Sequence, residues 1–322
     1  MIRWIQRAFA VTAVAFVAAC GGSDEHAPAP PVSLAQTAVN ANLTALVAAA
    51  TKAGLVDTLA NPATNITVLA PTDAAFTTLA TRLGFSSAAA MVTALPASAL
   101  QSILQYHILD GRVTAAALQS GAAVRPTLYT FGGSAATLRV GTTGGVGFTD
   151  AVLTRAGVTT ADVAASNGLV HVIDKVLVPP GVLNIVQMAL ANPEFSSLTG
   201  ALAARNLTNT LSGAGPFTVF APVNSAFTAI ASTVNSLLPA QLDTVLTYHV
   251  LGSQVLSTGI PFGTAVTTVA APRTITITAG PAPAIASIAD STGTPARITA
   301  VDIRASNGVI HVIDKVLIPS PL

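Results

Sequence analysis

Residues 165–177 read ASNGLVHVIDKVL, and residues 305–317 read ASNGVIHVIDKVL. The two stretches differ only by Leu169-Val170 against Val309-Ile310, and each runs on into a proline, Pro179 and Pro319. Their offset, 305 − 165 = 140 residues, is the length of an ordinary domain. The Asn-Gly pair suits a tight turn with positive φ, and the β-branched run after it reads as a strand. A segment kept this closely in two copies is either a core used twice or a binding element used twice.

Working outward, two further landmarks repeat in the same order. Residues 67–76, TVLAPTDAAF, match residues 218–227, TVFAPVNSAF. A β-rich triplet turns at Ala-Pro into a helix, and the aligned Asp73 and Asn224 are expected to cap its first turn in preference to Thr72, whose counterpart is Val223. Tyr106-His107 matches Tyr248-His249. Leu100, Ile103, Leu104 and His107 have helical spacing, as do Leu242, Val245, Leu246 and His249, with Pro96 and Pro239 at the helix starts.

Between the second landmark and the opening stretch, residues 123–128, 136–140, 146–153 and 158–163 form short β-branched runs between glycine turns. Residues 265–270, 273–278, 284–288 and 297–303 repeat them. From Thr67 to His107 is 40 residues and from Thr218 to His249 is 31, so the first copy carries nine extra residues, expected around 84–94. The joint is short: Pro179-Pro180-Gly181 ends one copy, and residues 183–186 begin the first helix of the next.

The chain has 322 residues, enough for two domains with their own cores, and is 51% hydrophobic but only 8% charged, with mean hydropathy +0.66. No apolar run reaches the ~18 residues of a membrane-spanning helix. The reading is a globular protein whose surface is poor in charge. Arg3 and Arg7 precede an apolar stretch that ends in Val17-Ala18-Ala19-Cys20-Gly21, which resembles the lipobox of bacterial lipoproteins. Residues 1–19 then read as a lipoprotein signal peptide, Cys20 as the acylated first mature residue, and residues 20–34, with Pro28, Pro30 and Pro31, as a tether. The expected location is the cell envelope (the outer membrane in a Gram-negative host), facing periplasm or exterior, with membrane contact through the lipid anchor only. Without the leader, 14 − 2 = 12 Lys+Arg stand against 13 Asp+Glu, with no basic cluster to hold a nucleic acid. Cys20 is the sole cysteine, so no intrachain disulfide forms.

Candidate chemistry is sparse. His107, His171, His249 and His311 sit in the landmarks, but no HxxxH or HExxH spacing points to a metal. One arrangement would let His107 and His171 meet and share an aspartate; the other makes each histidine a buried hydrogen-bonding member of the core. Ser166, His171 and Asp174 suggest a hydrolytic triad, yet positions 171 and 174 of one strand face opposite ways and no GxSxG elbow exposes a serine. Asp162, Asp174, Asp302 and Asp314 are expected to bond backbone amides or neighbouring side chains, and Lys175 and Lys315 to lie at the surface. No catalytic, cofactor or metal site is assigned.

The three ordered landmarks resemble the fasciclin domain. Its first conserved segment is similar to TVLAPTDAAF and TVFAPVNSAF, its central Tyr-His to Tyr106-His107 and Tyr248-His249, and its second conserved segment to NGLVHVIDKVLVP and NGVIHVIDKVLIP. The resemblance implies an α+β fold with two tandem domains, residues 35–179 and 182–319, each a β-sandwich or wedge of about seven strands with helices along one side. On this reading Asp73, Tyr106, His107, His171, Asp174, Asn224, Tyr248, His249, His311 and Asp314 are family-motif residues with structural roles. It also implies adhesion or interaction with a cell-surface or matrix protein, or a polysaccharide, rather than catalysis. Two other classes stay open: a carrier of a small molecule or lipid in an apolar crevice between helices and sheet, and a hydrolase.

Overall fold

The structure, a computed structural model, describes residues 32–280 and 285–321. The leader, Cys20 and most of the tether lie outside the described residues. In the first repeat three short helices, α1 (Leu34–Asn40), α2 (Thr44–Ala53) and α3 (Val56–Ala60), lead into strand β1 (Ile66–Pro71). Then come α4 (Asp73–Arg82), α5 (Ala88–Ala94), α6 (Ala97–Tyr106), β2 (Ile108–Asp110) and α7 (Ala115–Ser120). Strands β3 (Val124–Phe131), β4 (Ser134–Gly141), β5 (Gly147–Thr149), β6 (Arg155–Ala165) and β7 (Gly168–Ile173) complete it.

The second repeat runs α8 (Ile185–Ala191), α9 (Ser196–Ala204), α10 (Thr208–Ser212), β8 (Phe217–Pro222), α11 (Asn224–Ala229), α12 (Ala231–Ser236), α13 (Pro239–Tyr248) and β9 (Val250–Leu251). Strands β10 (Ala265–Thr267), β11 (Thr274–Ala279), β12 (Ala286–Ala289), β13 (Ala296–Ala305) and β14 (Gly308–Ile313) follow. The nine extra residues of the first copy are partly helical: α4 has ten residues where α11 has six.

Each repeat builds one seven-stranded sheet, in the order β2-β1-β7-β6-β5-β4-β3 and β10-β11-β12-β13-β14-β8-β9. The first and third landmarks meet at its centre as the parallel pairs β1–β7 and β8–β14, in register from Ile66↔Gly168 and Phe217↔Gly308. A parallel pair needs apolar cover on both faces, which is why ITVLAP and GLVHVI carry little polarity. One face packs against the helices, with Val68, Ala70 and Val170 in one core with Leu46 and Leu104. The other face closes over a second core of Leu69, Tyr106, Leu138, Phe148 and Ile173 as the sheet curls and β3 approaches β2. The second repeat fills the equivalent space with Phe220, Tyr248, Ile277, Ile288 and Ile313. Among the described residues no single helix is long and apolar enough to cross a membrane.

The helix-side core runs without a break from one repeat into the other. Polar contacts cross the same junction: Gly181 N donates to Arg304 O at 2.8 Å, Asn192 Nδ2 to Val152 O at 2.8 Å, and the Arg304 guanidinium lies 5.4 Å from the Phe131 ring centroid. Gly181 has φ +76°, and a β-carbon there would come within 2.1 Å of Phe131.

Three sequence expectations change. Residues 146–153 are not one strand: β5 stops at Thr149, because the buried Asp150 accepts from Thr154 N and Thr154 Oγ1 and folds residues 150–154 into a turn. Asp73 and Asn224 do not cap the helices they open. Thr72 caps α4 by accepting from Ala75 N, while Val223, in the same extended backbone, leaves α11 without a side-chain cap. Asp73 instead accepts from Ala45 N (2.9 Å) and Thr44 Oγ1, and Asn224 from Ser197 N (2.9 Å), so each holds the N-terminus of a different helix, α2 or α9. The Asn-Gly pair is not the centre of its turn, since β6 and β7 are joined by Ser166-Asn167 and Gly168 is already strand. Glycine is required there by close approach, as a β-carbon at 168 would lie 2.1 Å from Ile66 O, and one at 308 would lie 2.1 Å from Phe217 O.

Candidate functional site

The motif side chains converge on the backbone rather than on one another. Asn167 is 3% exposed; its Oδ1 accepts from Leu34 N at 2.8 Å, and its Nδ2 donates to Leu59 O, Asn61 O and Thr64 Oγ1. It therefore pins the start of α1 and the end of α3 to the β6–β7 turn. Asn307 repeats this with Ile185 N, Leu211 O and Gly213 O.

The two histidines of a repeat have opposite wiring. His107 Nε2 accepts from Leu177 N at 2.9 Å, so its proton sits on Nδ1 and is donated to Ile103 O at 2.7 Å. His171 Nδ1 accepts from Asp162 N at 3.1 Å, so its proton sits on Nε2 and goes to Val113 O at 2.8 Å. His249 and His311 repeat the two patterns with Val245 O and Leu317 N, and with Asp302 N and Val255 O. All four rings are at most 2% exposed. Burial pushes His107 and His249 down to about 4, because a charged imidazolium would lose its water. The carbonyls of Ile103 and Val245, and for His249 the charge of Asp290, offset this only in part, and Lys175 adds to it at His107. It lowers His311 as well.

His107 and His171 share no aspartate. The acid beside His171 is Asp162, which meets it through its main-chain amide; Asp162 sits in a β-bulge of β6 at φ +57°, and its carboxylate accepts from Ala115 N. Asp302 repeats the bulge at φ +61° and accepts from Ser257 N. Asp174 and Asp314 accept from Gly157 N and Arg297 N. His171 and Asp174 thus have separate partners, and no triad with Ser166 forms. Tyr106 and Tyr248 point into the sheet core, their hydroxyls donating to Thr137 O and Thr274 O, and burial raises both pKa values, with Asp150 or Asp290 adding to the effect. Among the described residues no three His, Cys, Asp or Glu side chains gather to hold a metal ion.

Lys175 and Lys315 correct the surface expectation. Lys175 Nζ donates to Asp150 Oδ2 at 2.8 Å and Lys315 Nζ to Asp290 Oδ2 at 2.7 Å; each lysine side chain is 21% exposed and each carboxylate is fully buried. The same carboxylates accept from Val178 N and Ile318 N, at the ends of the opening stretches. Desolvation opposes ionisation of Asp290, but Lys315, Thr292 and Ile318 outweigh it and hold its pKa below the ordinary carboxylate range. Asp150 and Asp290 were not among the candidate residues. The signal was present: each stands 25 residues before its lysine.

Beneath α1, α2 and α3 of the first repeat lies a cavity of about 310 Å³ walled by the helix-side face of the sheet. Its lining is almost wholly apolar, with Leu46, Ala50, Leu55, Val68, Leu104 and Val170 among the walls and His107 at the sheet. It is the feature of the described residues most like a ligand site.

A fasciclin-domain family model matches residues 41–179 and 193–319, most of the chain, and the protein belongs to the fasciclin-domain family. It is 38% identical over 142 residues to Protein sll1483 of Synechocystis, covering 42% of this chain and 74% of that one. It is 38% identical over 162 residues to the transforming growth factor-beta-induced protein ig-h3 of Sus scrofa, and 33% identical over 143 residues to the cell surface glycolipoprotein MPB83 of Mycobacterium bovis. Those matches cover 49% and 42% of this chain but only 22% and 60% of the relatives' lengths. A solved FAS1 domain pair from the insect cell adhesion molecule Fasciclin I aligns over 88% of this chain and 97% of its own, with 18% identity and a TM-score of 0.43. Fasciclin domains are found in cell-adhesion proteins, which supports an adhesion or interaction role.

Proposed function

We propose that this chain is an envelope-anchored adhesion or interaction protein, which binds another protein or a surface polysaccharide through its two fasciclin domains and performs no catalysis. The observation that carries this reading is the use of every motif histidine, aspartate and asparagine to hold main-chain groups in both repeats. A base whose two nitrogens are both bonded to the backbone has no lone pair to offer a substrate. Recognition then belongs to exposed segments between the landmarks. The leader and Cys20 supply the anchor, and the relative named as a cell surface glycolipoprotein fits such a location.

Surface cross-linking of intact cells, followed by identification of captured molecules, tests the interaction. The expected result is one recurrent envelope or extracellular partner; capture of cytoplasmic proteins only, or none, contradicts the reading. Fractionation tests the anchor: Cys20→Ser is expected to release the protein from the membrane, and undiminished membrane association of that variant rules out attachment through the cysteine.

A further inference from the structure

The cavity under α1–α3 is bounded at two positions by side chains smaller than those the second repeat carries. Leu34 N and Ile185 N are held by the equivalent Asn167 and Asn307, and Ala45 N and Ser197 N by the equivalent Asp73 and Asn224. These bonds fix the alignment of α1 with α8 and of α2 with α9. Ala35 then corresponds to Val186 and Ala50 to Leu202; both larger residues are buried in the core of the second repeat. At both positions the first repeat thus leaves room that a larger, buried side chain takes up in the second.

Inside that space nothing can fix a charged or polar group. Among the described residues no charged side chain lines it, and both nitrogens of His107 are engaged by Ile103 O and Leu177 N. Ser33, Gln36 and Thr51 stand among the lining residues toward the mouth, beside Val39 and Val56, which are exposed hydrophobics at 50% and 37%. An apolar interior with a mixed polar and apolar rim suits an amphiphile whose hydrocarbon part is buried and whose head stays at the entrance. At about 310 Å³ the volume lies at the lower end of ligand pockets, which run from ~300 to 1,000 Å³. If a methylene takes roughly the ~30 Å³ of a liquid water molecule, the space holds roughly ten chain carbons.

We propose that the first repeat binds the acyl chain of a fatty-acid-like amphiphile between α1–α3 and the sheet, and that the second repeat does not. This is independent of the adhesion reading; either stands if the other fails.

The test uses the full chain carrying Cys20→Ser, so that no acyl chain attached there competes, purified without detergent. Dodecanoic acid itself is titrated by isothermal calorimetry below its micelle concentration. The expected result is saturable dodecanoate binding at one site per chain, weakened at least tenfold by Ala50→Leu, the residue of the second repeat. Ala50→Leu should melt no lower than the parent; where it does melt lower, Ala35→Val, again the residue of the second repeat, carries the comparison with an expected severalfold weakening. Absence of saturable binding, or binding unchanged in both variants, overturns the proposal. Greater lipid occupancy of the Cys20 chain than of the Cys20→Ser chain, with no dodecanoate binding by the latter, assigns the cavity to the protein's own lipid and overturns it equally.

Discussion

At the scale of single residues, the duplicated stretch is a set of clamps on the main chain. Gly168 cannot take a β-carbon without displacing Ile66 O in a fully paired central strand, so Gly168→Ala should cost about 3 kcal/mol in urea unfolding. Asn167→Ala strands the buried Leu34 amide and should cost about 2 kcal/mol. The buried histidines make stability depend on pH with a definite sign. His107 and His249 have folded pKa values of about 4 against an ordinary 6.5, so between those limits the unfolded chain binds more protons than the folded one. Their contribution is fully present above pH 6.5 and is lost as pH falls from 6.5 to 4, on the order of 3 kcal/mol per histidine. Urea midpoints across that range should fall accordingly, and His249→Gln should flatten part of the slope.

At the scale of elements, the helix caps illustrate how much of the structure was legible beforehand. A strand running through Ala-Pro into a helix was readable because both the β-rich triplet and the capping chemistry are local. The partner of Asp73 was not, because the amide it accepts from belongs to Ala45, 28 residues earlier, and no local pattern announces a cap shared between helices. The correction has a testable consequence. Val223 occupies the cap position of α11 with φ −72° and ψ 163°, almost the geometry in which Thr72 caps α4. Val223→Thr should therefore raise the urea midpoint by an amount equivalent to about 1 kcal/mol, whereas an unchanged or lower midpoint means that its apolar contact matters more. The Asp-Lys pairs lay between these cases, for the 25-residue spacing repeats in the sequence but only burial reveals that Lys175 and Lys315 serve the interior. The cavity was foreseen only as a crevice between helices and sheet. The small residues that bound it, Ala35 and Ala50, stand out only once α1 is aligned with α8 and α2 with α9, where the two sequences share no landmark.

At the scale of the whole molecule, the two repeats share a helix-side core and a polar junction through Gly181, Asn192 and Arg304. Far-UV circular dichroism should thus report one cooperative unfolding transition, and Asn192→Ala combined with Phe131→Ala should separate it into two. The two frames are wired alike and differ where side chains fill space or meet solvent, which assigns the repeated motif to architecture and leaves recognition to what differs. The imidazole tautomers test that division most directly. Long-range ¹H–¹⁵N correlation spectra at pH 7.5 should find His107 and His249 protonated on Nδ1 and His171 and His311 on Nε2. A shared tautomer within a repeat, or a ring in tautomeric exchange as a solvent-accessible base would be, contradicts the account.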